Sequence, residues 1–330
     1  MTTIIGQRQG RNWATPLSSS AEGYHALGNY HRLVLRDPTS ALAQYDRGLR
    51  VAPSNADILT ATALAEETLG RWEAAVGHLR QSERLDPRSV PTRLRLGEAM
   101  LWLRRYPEAR AALDSGRAIA PANLTLLTWK ATVSVAEGDL PGARAVLASA
   151  PPEIPPTALI AYVANSGLVW VLDDEQRELL LRLTPSAFNG GRAAWALALL
   201  QASSLKGDAD AVHRYAEEAR AALEGPAATD YLRRAYLGLA LTTLGRVADG
   251  VRECERAAEL AKGDAISSPE VRSILAVICI RAGETSRAID IIEDVLKKPY
   301  TLSPGWLRID PDFAPLRDNP RFQKLVASTK

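Results

Sequence analysis

The sequence predicts an all-α fold, a solenoid of stacked helical hairpins with a C-terminal cap. Three periodic features predict it. Prolines stand at positions 53, 87, 121 and 155, 34 residues apart each time, and three of them end similar phrases, LRVAP, ERLDP and RAIAP. Proline lacks an N–H and disfavours helix in the residue before it, so each is read as the stop of the second helix of a helix-turn-helix unit. Gly70, Gly138, Gly207, Gly245 and Gly283 recur where the two helices of a unit join, a turn that needs a residue tolerant of positive φ. Ala41, Ala75, Ala109, Ala143 and Ala288 recur where the second helix crosses the first, and a small side chain there lets the axes approach closely.

Along the chain, residues 1–20 form a polar lead-in without an apolar stretch of seven, so no secretory signal peptide is expected. Ser19 stands three residues before Glu22, a capping-box spacing that would start the first helix. The first repeat, Ala21 to Asn55, carries one extra residue in its turn region, LVLRDPTS, and lacks the turn glycine. The 34-residue phase then runs unbroken from Ala56 through Pro155. Residues 156–190 read as a degenerate pair, with TALIAYVANSGLVWVL as one helix and DDEQRELLLRL as the next. Units resume at about 192–226, 229–262 and 268–298, which makes seven recognisable units and a degenerate one in an array over residues 21–298.

A single hairpin cannot cover its apolar face, so neighbours bury it and core residues recur at fixed places. Tyr24, Leu59 and Leu127 are expected to face the interior from first helices, and Tyr45, Leu79, Leu113, Leu147, Cys254 and Ile292 from second helices. Residues 299–330 break the period and are dense in proline and aromatics. They are expected to cap the array, with Trp306, Leu307, Phe313, Leu316 and Phe322 covering its open apolar end.

The pairs Leu27-Gly28, Leu96-Gly97 and Leu237-Gly238, with the turn glycine, the second-helix alanine and the closing proline, resemble the tetratricopeptide repeat. The resemblance implies a right-handed superhelical solenoid whose first helices line a concave groove that binds a peptide or helix of a partner protein. The tail SPGWLRIDP followed by PLRDNPRF, together with LRRYPEARAALD, GDLPGARAVL and SGLVWVLDDEQRELLLRLTPSAF, resembles the repeat regions attached to bacterial serine/threonine protein kinases, adenylate cyclases and winged-helix regulators. This resemblance runs from about Ala21 to Val326 and implies the alternative of a sensory or regulatory arm of a signalling protein. The catalytic domain of such a protein is absent from the sequence: there is no Gly-rich phosphate loop, His-Arg-Asp loop or Asp-Phe-Gly motif, and DPDF at 310–313 is not the last of these.

With first helices on the concave face, the repeat register nominates partner-binding residues. They are His25, Asn29 and Arg32 in the first repeat, Thr60 and Glu67 in the second, Arg95, Glu98 and Trp102 in the third, and Thr128 and Thr132 in the fourth. Chaperone co-factors of the resembling family grip a terminal carboxylate with lysine, asparagine and arginine. Asn29 and Arg95 occupy matching places, but His25 stands where lysine is expected and Ala61 where the second asparagine belongs, so that clamp is not expected. Trp102 is a candidate anchor, since aromatics often are; the plainer reading is a packed helix tryptophan.

Composition narrows the remaining classes. Hydrophobic residues make up 46% and charged residues 24%, enough to build a core. Forty Lys and Arg against 38 Asp and Glu leave a net charge of +2, without the basic balance of a nucleic-acid binder. The uncharged run from Pro156 to Leu172 approaches the length of a membrane span, but Asn165, Ser166 and Gly167 interrupt it, and a helix buried on most sides gives the same pattern. Cys254 and Cys279 are too few for a disulfide framework and too far apart for a zinc motif; they read as small core residues in a reducing, cytoplasmic compartment. His25, His31, His78 and His213 make no close ligand set, so neither a metal nor a cofactor is expected. Asp173-Asp174-Glu175 and Arg104-Arg105 read as charged helix starts and ends, and Gly190-Gly191 as a plain loop. No residue is nominated as catalytic.

Overall fold

The computed structural model describes residues 20–225 and 230–327, and among them it contains eighteen α-helices and no strand. The described residues form two compact units, one up to residue 87 and one from residue 88 onward. In the first unit α1 (Ala21–Leu33) pairs with α2 (Pro38–Val51), α3 (Ala56–Thr68) pairs with α4 (Trp72–Leu85), and α2 packs on α3.

Polar side chains start these helices by accepting from amides that no helical carbonyl can reach. Asp37 Oδ1 accepts from the Ser40 N–H and Asn55 Oδ1 from the Ile58 N–H, each at 3.0 Å. At α1 the cap is Ser20, whose Oγ accepts from the Gly23 N–H at 3.0 Å; Ser19 of the expected capping box lies outside the described residues. Gly28 lies against the ring of the fully buried Tyr45, where a Cβ would stand 2.3 Å from Cε1, so the Leu-Gly pair makes room for that ring. Ala41 and Ala75 are fully buried at the helix crossings. Tyr24, expected in the interior, is only half-buried on α1. The turn after α1 has no glycine, and Arg36 adopts the left-handed conformation itself, with φ 53°.

His78 on α4 places Nδ1 2.8 Å from Glu66 Oε2 on α3. The hydrogen bond to Glu66 raises the imidazole pKa above its ordinary 6.5, outweighing the burial that lowers it. A base whose pKa folding raises adds stability that is complete below its unfolded value and is lost as pH climbs through its folded value. Stability of the wild type measured by urea unfolding is therefore expected to fall, relative to a His78→Gln variant, as pH climbs above the ordinary imidazole value of 6.5. Parallel profiles would show that the pair contributes nothing.

The second unit begins with α5 (Val90–Trp102) against α6 (Tyr106–Ile119) and α7 (Leu124–Glu137) against α8 (Leu140–Ala148). A shorter pair, α9 (Pro156–Asn165) and α10 (Asp174–Leu180), follows. Three longer pairs complete the series: α11 (Arg192–Lys206) with α12 (Ala209–Leu223), α13 (Tyr231–Thr243) with α14 (Val247–Leu260), and α15 (Ser267–Arg281) with α16 (Thr285–Leu296). First helices also pack on one another, α5 on α7, α7 on α9 and α13 on α15. The turn glycines behave as their spacing predicts, with φ between 77° and 83° at Gly138, Gly207, Gly245 and Gly283. Between α5 and α6 the same turn uses Arg104, at φ 59°.

Two expectations need correction here. Pro155 does not stop a second helix: α8 ends at Ala148, before Pro151 and Pro152, and Pro155 is the residue that precedes α9. The run 157–172 is not one helix. Ser166 caps α9, Gly167 adopts the left-handed conformation at φ 73°, and Val169–Val171 form a short 3-10 segment buried in one cluster with Leu127, Leu147 and Leu199. The Arg144 Nε–H donates to the Val171 carbonyl at 2.8 Å, giving that non-helical carbonyl a partner. Asp173 then starts α10 with a complete capping box to Gln176. No helix among the described residues is long and apolar enough to cross a membrane.

The C-terminal segment consists of α17 (Pro304–Ile309), a 3-10 turn over Pro311–Leu316 and α18 (Pro320–Ala327). Leu307, Phe313, Leu316 and Phe322 bury against Cys254, Ile278 and Ile292 of the last pairs, as a cap would. The segment also folds back onto the start of the unit, which its sequence did not predict. The Tyr300 N–H donates to the Trp102 carbonyl at 3.2 Å, and the Ser303 hydroxyl donates to the Ala136 carbonyl. Gly305 packs directly on the end of α7, where a Cβ would lie 2.3 Å from the Ala136 oxygen. Trp306 meets Trp170 edge to face, with ring centres 6.1 Å apart. Arg104, read from sequence as a helix-end charge, donates from Nη2 to the Leu296 carbonyl at 2.8 Å and so ties α16 to the turn after α5.

Candidate partner-binding cavity

Because the C-terminal segment crosses from α16 to α7, the second unit encloses an open cavity of about 760 Å³ between its first helices and residues 300–313. Its placement follows from the repeat. Nine residues before the turn glycine, α7, α11, α13 and α15 carry Trp129, Ala198, Tyr236 and Ile274; six residues before it they carry Thr132, Gln201, Leu239 and Val277. All eight line the cavity. The C-terminal segment adds Tyr300, Trp306 and Asp310 as an opposing wall. An aromatic lining with a few polar groups is the usual make-up of a ligand-holding cleft of this size.

The charged groups differ in how they are compensated. Arg281 donates to Thr243 Oγ1 at 2.9 Å and to Asp312 Oδ1 at 3.2 Å. Asp310 accepts from Trp306 Nε1 at 2.7 Å and from the Asp312 N–H at 2.9 Å; burial, helped by the charge of Asp312, pushes its carboxyl up to about 7. Burial, with the charge of Asp264 added, also pushes the Glu270 carboxyl above the usual range. The Tyr236 and Tyr300 hydroxyls are raised too, first by burial and then by the Glu270 charge. No histidine, cysteine or lysine lines the cavity, and no group of three His, Cys, Asp or Glu among the described residues is placed to hold a metal.

The ten residues nominated from sequence are divided between the units. In the first, Asn29 Oδ1 accepts from the Tyr45 hydroxyl at 2.8 Å, the His25 ring lies 6.1 Å from that of Tyr45, and burial lowers the His25 pKa. Arg32 is half-buried. Thr60 Oγ1 bonds Ser82 Oγ at 2.9 Å, and Glu67 is buried. In the second unit Arg95 Nη1 donates to the buried Glu98 at 2.7 Å; burial still pushes the Glu98 carboxyl up, with Arg95 only partly offsetting it. Trp102, Thr128 and Thr132 are buried as well, yet these three line the cavity, with Trp102 edge-on to Trp129 at 6.3 Å. Stacking of first helices, with the C-terminal segment above them, buries positions that an open groove would leave exposed.

Tyr236, Gln201, Glu270, Tyr300 and Trp306 were missed as site residues. Counting back from each turn glycine would have found Tyr236 and Gln201, had the register been carried past the fourth repeat. Nothing in the sequence points Tyr300 or Trp306 at this cavity, because their placement depends on the fold-back of the tail.

Two family models of the tetratricopeptide repeat match residues 30–90 and 66–127. Residues 30–127 carry tetratricopeptide repeats. The small glutamine-rich tetratricopeptide repeat-containing protein 2 of Mycosarcoma maydis is 27% identical over 108 residues, 33% of this chain and 30% of that protein, so the match spans less than a third of the relative. Among solved structures, the hetero-tetramer Cut9-Hcn1 of the APC/C is similar over 94% of this chain and 56% of its own, at 16% identity and a TM-score of 0.44. PilF of Pseudomonas aeruginosa is similar over 61% of this chain and 90% of its own, at 18% identity and a TM-score of 0.44. Beyond the matched tetratricopeptide repeats, α11 to α16 keep the left-handed turn glycines, and Ala288 is fully buried at the last crossing.

Proposed function

We propose that the chain is a non-enzymatic interaction scaffold that holds an extended or helical segment of a partner protein, with the cavity of the second unit as its principal seat. One observation carries the reading: five first helices, α5, α7, α9, α11 and α13, and the C-terminal segment converge aromatic or amide side chains on one open cavity. Aromatic faces give large contact area at little conformational cost, and interfaces concentrate their energy on such anchors. The matched repeats support a protein partner in general terms. On this reading the protein works in the cytoplasm, with neither nucleic acid nor a cofactor involved.

The test uses immobilised pools of random peptides and the purified chain. Gln201 is half-buried and projects from the cavity face of α11, so Gln201→Trp should fill the space without opening the core. Retention of the pools is expected to fall at least about tenfold in that variant while thermal unfolding stays unchanged. Undiminished retention would remove the cavity from the reading. Loss instead in an Asn29→Ala, Arg95→Ala double variant would move the seat to the polar first-helix positions nominated from sequence.

A second reading, a sensory or regulatory arm of a bacterial signalling protein, rests on the phrase SPGWLRIDP, which carries that resemblance and also supplies the wall of the cavity. A kinase or cyclase domain encoded upstream in the same reading frame would favour it.

A further inference from the structure

Asp310 ends α17 and begins the 3-10 turn that follows it, in the wall of the cavity. The residue is 6% exposed, and its carboxylate accepts two hydrogen bonds, from Trp306 Nε1 to Oδ2 at 2.7 Å and from the Asp312 N–H to Oδ1 at 2.9 Å. Both donors are neutral, and no ion pair joins this carboxylate to any described residue. The two bonds are joints of the C-terminal segment. One holds the indole that meets Trp170 edge to face, and the other holds the turn that buries Phe313 and Leu316 against the last helical pairs.

The charges of the surrounding elements supply no counter-ion. α15 brings Arg281, committed to Asp312 at 3.2 Å and to Thr243, and Glu270, another acid of the cavity wall. α7 brings Glu137, whose carboxylate accepts from Arg110 and whose carbonyl accepts from Arg308 of α17 at 3.4 Å. α18 brings Lys324 and Arg321, the latter paired with Asp290 and Glu293. Arg317 donates to the backbone carbonyl of Asp310, at 3.3 Å, and not to its carboxylate. A carboxylate taken from water without a cation is unfavourable, and it escapes the cost by holding a proton or by returning to solvent.

The plainer explanation is an ordinary capping aspartate, which gains from its charge. Asp37 behaves in that way: it is half-exposed, caps α2, and the hydrogen bonds of Ser40 hold its carboxyl below the usual range. Asp310 makes the same kind of bond in a buried site, and there burial, with the charge of Asp312 added, drives the carboxyl the other way.

We propose that Asp310 is a proton-operated latch: with its carboxyl neutral it seats residues 300–313 on α7 and α15 and keeps the cavity walled, and on ionisation it frees that segment and opens the wall. The inference concerns access to the cavity and does not depend on what the cavity holds. Its sign follows from linkage. An acid whose pKa is raised in the seated state favours seating fully below its free value. As pH climbs from 3.8 to about 7 that advantage shrinks, by up to about tenfold per pH unit, and above this range it is gone.

Amide hydrogen exchange of the full chain at pH 5.5 and 7.5, corrected for the intrinsic rate at each pH, tests the latch. Tyr300, Leu307 and Phe313 report on the segment, since their N–H groups donate to the Trp102, Ser303 and Asp310 carbonyls; amides of α12 are the reference. Protection of the segment is expected to be at least about tenfold lower at pH 7.5, with α12 unchanged. Asp310→Asn keeps an acceptor oxygen and cannot ionise, so its protection should not vary with pH. Equal protection of the wild-type segment at both pH values, the same fall in Asp310→Asn, or a parallel fall in α12 overturns the inference. Where Asp310→Asn leaves the segment unprotected at both pH values, Asp312→Asn decides. Removing that neighbouring charge should move the midpoint of the fall to lower pH, and an unmoved midpoint overturns the latch.

Discussion

Gly305→Ala is expected to destabilise the second unit near the upper end of the roughly 1–3 kcal/mol that overpacking typically costs. The added methyl group would meet backbone: the Ala136 oxygen at 2.3 Å, the Glu137 carbonyl carbon at 2.5 Å and the Gly138 nitrogen at 2.7 Å. None of these can rotate aside, since Gly138 is itself held at φ 83° in the turn after α7. The C-terminal segment must therefore lift, breaking the Ser303 bond to the Ala136 carbonyl and opening one wall of the cavity. Urea unfolding together with limited proteolysis of residues 297–303 would measure this. The control is Gly77→Ala on α4, where an added Cβ meets no atom within 4 Å and helix propensity alone acts. It should stabilise by about 0.5–1 kcal/mol. Equal behaviour of the two variants would mean that the tail is not seated on α7.

Trp170→Ala is expected to cost still more, about 3–5 kcal/mol by unfolding in denaturant. Trp170 is 4% exposed and fills the space where the irregular run after α9 meets the C-terminal segment through Trp306. In a simple helical array each hairpin contacts only its neighbours, and a cavity at one pair loosens that pair alone. Here the tail links residues 167 positions apart in sequence, so loss of the Trp170–Trp306 contact should loosen the middle pair and the terminal segment together. Protease sensitivity appearing at both sites at once is the expected signature. Sensitivity confined to residues 166–173 would show that the tail holds without the contact. Leu205→Ala, at an exposed site of α11, should stay within about 0.5 kcal/mol of the wild type.

Where a residue's role depends only on its own hairpin, sequence and structure agree in detail. Left-handed glycines at the helical turns and fully buried alanines at the crossings are demands of local backbone geometry, and they recur because the geometry recurs. Leu59, Leu79, Leu113, Leu127, Leu147, Cys254 and Ile292 are buried for the same reason. Disagreement begins where a residue's surroundings come from another part of the chain. The run 157–172 is as apolar as a buried helix, and only its neighbours decide that it bends at Gly167. Glu98, Thr128 and Thr132 sit on the predicted face of their helices, yet adjacent first helices bury them.

Outside residues 156–190, the sequence by itself determined the helical hairpins, their turn glycines and their small-residue crossings, because these follow from neighbours along the chain. The tertiary structure alone decided that the C-terminal segment returns to α7, that Arg104 and Trp170 hold it there, and that this segment and the first helices wall a cavity. The physical reason is range. Helix periodicity encodes interactions three or four residues apart, whereas a tail laid across the inner face of an array is fixed by shape and hydrogen bonding between segments whose separation leaves no periodic trace.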